Sequence, residues 1–212
     1  MTTGVRDGPA GARPPEIAAL YEAFAGCTIP ETLAYCTYCD HAEYERALHA
    51  PLETLPHELM DKYLADAIHH TGSEADFAYF IPRILEIEYE APIGRFHDLA
   101  ERLEMAGWTA WPAERRAALC RAIACIARRG DRSDEWLDAA ARIEGVPWGE
   151  VFSRLPGLDD PRSGQAEWLW LAIRRREVMD GAQPIDRALC AWLDSPEGAR
   201  FSEEFLARTE LP

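Results

Sequence analysis

Proline or serine before apolar runs of helical spacing, and glycine after them, recur along most of this 212-residue chain. That punctuation commits it to helices, because Pro is pre-set for a first helical turn and Gly accepts the left-handed conformation that stops one. Between Pro15 and Gly26, the residues Ile17, Leu20, Tyr21 and Phe24 fall on one helical face and predict a first helix. Asp40, with Glu43 completing a capping box, predicts a short helix from His41 to about His49. Pro56 predicts the first turn of a helix reaching His70, with Leu59, Tyr63, Ala67 and Ile68 apolar and Thr71-Gly72 as its stop. Ser73 is expected to cap the next one, through Phe77, Phe80, Ile81, Ile84, Leu85 and Ile87, which Pro82 should bend.

Further helices are expected near 92–105, 112–129, 133–144, 147–155, 163–180, 184–193 and 195–208. No segment has the alternation or the β-branched content of a strand. The expected class is all-α: an irregular multi-helix bundle or a short HEAT-like α-solenoid of antiparallel helix pairs. It would occupy 15–212 as one domain, behind a Gly- and Pro-rich lead-in over 1–14 expected to be disordered.

The charge narrows the partners. With 37 acidic against 22 basic residues the formal net charge is -15, which repels phosphate backbones and anionic lipid, so nucleic acid is not an expected partner. No apolar run approaches the roughly 18 residues of a membrane span, so no membrane is expected either. The start has no apolar core of an export signal, so the chain is expected in the cytoplasm with its six cysteines as reduced thiols or metal ligands. The arginine clusters Arg115-Arg116, Arg128-Arg129 and Arg174 to Arg176 sit among acidic residues and read as solvated, salt-bridged faces.

One cluster has ligand chemistry. Cys36 and Cys39 have the spacing that places two sulfurs on one zinc ion, and Cys27 and His41, flanking the same loop, would complete a tetrahedral structural set. The same pair alternatively suits a thiol-disulfide redox site, although Asp40, Glu43 and Glu45 would raise its thiol pKa; ordinary thiols are the third reading. Cys120, Cys125 and Cys190 fall on apolar helix faces and are expected to be inert.

Other polar groups read as structural. His69-His70, beside Asp66, are expected in the last turn of a helix, interacting with its dipole. Glu86, Glu88 and Glu90 cannot share one helical face and read as a charged helix end. Most of the tryptophans are expected to fill the core; Trp168 and Trp170 cannot both face one side, so unless their helix is buried all round one is expected at a solvent face, where aromatics frequently anchor interfaces. Signatures of zinc hydrolases, serine hydrolases, phosphate loops and dinucleotide folds are missing from the sequence.

Between Phe24 and Glu86, the Cys36-x-x-Cys39 pair followed by the block Asp76-Phe77-Ala78-Tyr79-Phe80-Ile81-Pro82-Arg83-Ile84-Leu85-Glu86 resembles an uncharacterised group of bacterial all-helical proteins. That resemblance implies a helical fold and brings no catalytic residues. The expected function is that of a cytosolic interaction or regulatory domain binding another protein, an immunity protein for a basic toxin being one version. The alternative is a redox enzyme using Cys36 and Cys39.

Overall fold

The computed structural model describes residues 13–28, 31–36, 44, 49–91, 95–160, 163–174 and 183–209. The Asp40 cap, most of the 41–49 helix, Cys39, His41 and the side chains of the Arg174 to Arg176 cluster lie outside them. Among the described residues the fold is all-helical, with no strand beyond isolated bridges. Its α-helices are α1 (Pro15–Phe24), α2 (His57–Asp66), α3 (Glu74–Glu90), α4 (Phe96–Met105), α5 (Ala113–Ala127), α6 (Asp134–Ala141), α7 (Trp148–Phe152), α8 (Gly164–Arg174), α9 (Pro184–Leu193) and α10 (Pro196–Arg208).

The caps explain the starts. Ser73 accepts from the Asp76 amide while the Asp76 carboxylate accepts from the Ser73 amide, a complete capping box. Ser133 and Ser195 accept from the amides of Trp136 and Gly198, and Pro15, Pro184 and Pro196 occupy first turns.

At the centre lies α3, which buries Phe77, Phe80, Ile81, Ile84, Leu85 and Ile87 and runs on through the buried Pro82 to Glu90. It packs against α1, α2 and α5; α1 also lies along α5, and α4 along α6. Downstream, α9 meets α6, α7 and α10. Trp136, Trp148 and Trp192 fill the spaces between these helices, as their burial requires.

The expected continuation of α2 to His70 is corrected: the helix ends at Asp66. Ile68 has φ 66°, and the chain turns back so that Tyr35 bridges Thr71, the Cys36 amide donates to the His70 carbonyl and the Gly72 amide to the Ala34 carbonyl. A left-handed, β-branched residue is costly. Here the pairing with 34–36 and the packing of Ile68 on the core hold it in place. His69 and His70 therefore lie in a turn beyond the helix and not in its last turn. His69 approaches Glu101 (Nε2 to Oε1, 3.7 Å), and Asp66 accepts instead from the Tyr44 hydroxyl at 3.0 Å.

Candidate functional site

Two residues of α3 overturn the reading of a solvated, charged helix end. Glu86 and Glu88 are buried, at 7% and 1% exposure, while Glu90 is exposed at the helix terminus. Two positions apart on a helix, they point roughly 200° from one another. Glu86 accordingly faces α1 and Glu88 faces α6.

Glu86 accepts from Arg13 Nε at 2.6 Å, from the Tyr21 hydroxyl at 2.7 Å and from Arg83 Nη1 at 2.7 Å. Burial pushes its carboxyl up, but these donors outweigh it and hold the group below the ordinary carboxylate range. Burial and the same carboxylate push the Tyr21 hydroxyl far above its ordinary value. A depressed folded-state pKa gives stability that is present above the unfolded pKa and lost as pH falls toward the folded one. Glu86→Gln should therefore cost about 2 kcal/mol at neutral pH, a figure discounted for the partial exposure of Arg13. The gap between wild type and variant should shrink below about pH 4. Thermal unfolding from neutral to acid pH measures this, and a gap independent of pH would contradict it.

On the opposite side, Glu88 accepts from the Trp136 indole at 2.9 Å, and its backbone carbonyl accepts from Arg132 Nη2 at 2.8 Å. Arg132 Nη1 stands 3.9 Å from the Glu88 carboxylate and 3.7 Å from that of Asp131. The arginine side chain is 1% exposed, yet its Nε and Nη1 have no hydrogen-bond acceptor among the described residues. Such an unfilled buried donor costs about 1–3 kcal/mol, so its position is informative. Burial lowers the pKa of this guanidinium.

Arg132 lines a groove of about 200 Å³ whose other walls include Asp134, Leu137, Phe152, Leu155 and Trp168. Helices α6, α7 and α8 supply Asp134, Leu137, Phe152 and Trp168, while Arg132 and Leu155 come from the links before α6 and after α7. Trp168 stands 38% exposed, its ring 6.3 Å from that of Phe152, whereas Trp170 packs against the core, so the expected division between the two tryptophans is found. The same arginine also borders a second cavity of about 180 Å³, formed with Phe96, His97 and Trp136.

The arginine clusters are more than solvated faces. Arg128 bonds the Glu16 carboxylate of α1, and Arg115 Nε donates to the Ala23 carbonyl at 3.3 Å while its guanidinium lies 5.5 Å from the Phe24 ring. Arg129 pairs with Asp131 at 3.3 Å and covers the Tyr89 ring.

Of the sequence-predicted ligands, Cys27 is half-buried just after α1 and lines an open cavity of about 430 Å³ with Glu74, Asp76, Trp111 and Arg115. Burial pushes its thiol up, which Arg115 partly offsets. Cys36 is half-buried beside the backbone of His70. Cys39 and His41 lie outside the described residues, among which no group of three or more His, Cys, Asp or Glu side chains could hold a metal ion. Cys120 and Cys125 are buried, with thiols pushed up by burial, and Cys190 is half-buried.

Sequence reasoning missed Glu86, Glu88 and Arg132. The available signal was two carboxylates inside an otherwise apolar helix, Ile84-Leu85-Glu86-Ile87-Glu88. Among the described residues no helix is long and apolar enough to cross a membrane. Compared with known proteins, the chain matches no family model, no curated protein and no solved structure.

Proposed function

We propose that this chain is a helical interaction domain whose groove beside Trp168 holds a cationic segment of another protein, anchored by one bulky apolar side chain. The observation that supports this most directly is Trp168 itself, a large hydrophobic side chain left 38% exposed at the edge of an apolar groove. Exposed aromatics at pocket edges are frequent interface anchors. The cationic partner follows from charge: the chain carries -15 overall, Asp134 lines the groove, and Arg132 is already flanked by Glu88 and Asp131. Such complementarity accelerates encounter and rejects acidic competitors.

Within this reading the array is an irregular bundle more than a HEAT-like solenoid. In a solenoid each repeat meets its neighbours, whereas α1 lies along α5, far on in the chain.

Panning a random peptide display library on the intact protein tests the function. Recovered peptides should combine Lys or Arg with a bulky apolar residue and lose about tenfold or more in affinity for Trp168→Ala. Asp134→Asn should weaken binding less and reduce its salt dependence. Acidic recovered peptides, or unaltered affinity for Trp168→Ala, would overturn the proposal.

A further inference from the structure

Resting on the docking reading above, we infer that Gly164 sets what the groove admits: its missing side chain leaves a lane at the start of α8 through which the main chain of the docked cationic segment passes beside Trp168. Position, the absence of a structural demand and steric chemistry meet at this residue.

The first is position. Gly164 is exposed, opens α8 and lines the same groove as Trp168. Four residues apart on a helix, the two share one face a single turn from each other. A side chain at 164 would stand next to the exposed indole, and glycine leaves that space to an incoming chain.

The second is that the fold makes no demand for glycine here. Gly130, which also lines the groove, has φ 72°, and a Cβ there would lie 3.0 Å from Pro156, so its own turn explains it. Gly164 is helical without a left-handed φ, and a Cβ built on it meets no atom of the described residues within 4 Å. No other described glycine combines these two properties. The helix start is served without it: Ser163 Oγ accepts from the Ala166 amide at 3.0 Å, and Gln165 Nε2 donates to the Gly130 carbonyl at 3.2 Å. Glycine is among the poorest helix formers, so at this position it weakens the fold with no turn or packing to offset the loss. A local rule broken without structural gain is the mark of a functional position.

The third is steric chemistry. A bare backbone lets another chain approach to van der Waals contact, a recurring use of glycine. The segment's apolar anchor then enters among Leu137, Phe152 and Leu155, while Asp134 supplies the charge that favours its cation. Bulk at 164 would reject the segment by collision, the repulsive half of specificity.

The test uses the full chain and the tightest Trp168-dependent basic peptide recovered by panning, fluorescently labelled for anisotropy. Gly164→Ala should raise the thermal midpoint by about 1–3 °C, because alanine lowers the entropy of the unfolded chain and fits the native backbone. Gly164→Leu should keep the midpoint within about 2 °C of wild type yet weaken the peptide at least about tenfold, with alanine falling between. Ala199→Leu adds similar bulk on the exposed face of α10, outside the groove, and should leave affinity unchanged.

A Gly164→Leu variant that binds the peptide as wild type does would overturn this assignment and leave the docking reading standing. A lower midpoint for Gly164→Ala would overturn it as well, by showing that the fold itself requires glycine there. If panning recovers no Trp168-dependent peptide, both fall together.

Discussion

Alanine in place of Glu88 should lower the unfolding free energy by about 3–5 kcal/mol, the range for removing one partner of a buried ion pair. Both side chains are almost fully enclosed, at 1% for Arg132 and 2% for Glu88, so the stranded guanidinium gains little from solvent. The Trp136 indole loses its acceptor at the same time. Equilibrium urea denaturation measures the loss through its midpoint. Glu88→Leu combined with Arg132→Met should recover most of it, because replacing a whole buried pair by apolar groups is often neutral. A single variant costing under about 1 kcal/mol would show that the pair is hydrated and that Arg132 is not short of partners.

Phe80→Ala should have a comparable cost of about 3–5 kcal/mol, since a buried aromatic leaves both lost transfer energy and a cavity. Phe80 is 2% exposed and its ring lies 4.5 Å from that of Tyr63, which reaches Tyr44 at 6.1 Å and then Tyr35 at 6.3 Å. The ladder ties Tyr35 and Tyr44 to α2 and α3, so limited proteolysis should cut the chain next to these two residues faster in the variant. Tyr63→Phe is the informative contrast. Its hydroxyl is buried without a hydrogen-bond partner among the described residues, and deleting it should leave stability unchanged or raise it by up to about 1 kcal/mol. Equal losses in the two variants would mean that the ladder depends on the hydroxyl and not on ring packing.

Helix starts were legible because they are local. Ser73, Ser133 and Ser195 bond to amides three positions on, and Pro184 and Pro196 restrict their own φ, so neighbouring residues suffice to place them. That Trp168 and Trp170 face different ways was legible for a similar reason, since helix geometry divides them whatever the surroundings; which of the two is exposed was not.

The misread features depend on remote chain. Asp66 ends α2 because residues 34–36 compete for the backbone of 70–72, a pairing that apolar periodicity in α2 does not encode. Glu86 and Glu88 look like a charged helix end until Arg13, Tyr21, Arg132 and Trp136 arrive from elsewhere in the chain. Arg128 reads as part of a salt-bridged face, but that its partner is Glu16 on α1 appears only once the helices pack. The groove was half visible: spacing set Trp168 and Trp170 apart without saying which is exposed, and the walls from α6 and α7 and the unfilled donor of Arg132 appear only after packing.

The placement of α1 also bears on the chain's birth. Its partners are distant in sequence: Tyr21 waits for Glu86, 65 residues on, and Glu16 for Arg128, 112 residues on. A ribosome adding about 5–20 residues per second will therefore have extruded α1 for several seconds before α5 emerges to cover it. During that interval the apolar face of Ile17, Leu20 and Phe24 is a vacant seat, open to whatever chaperone meets the nascent chain first.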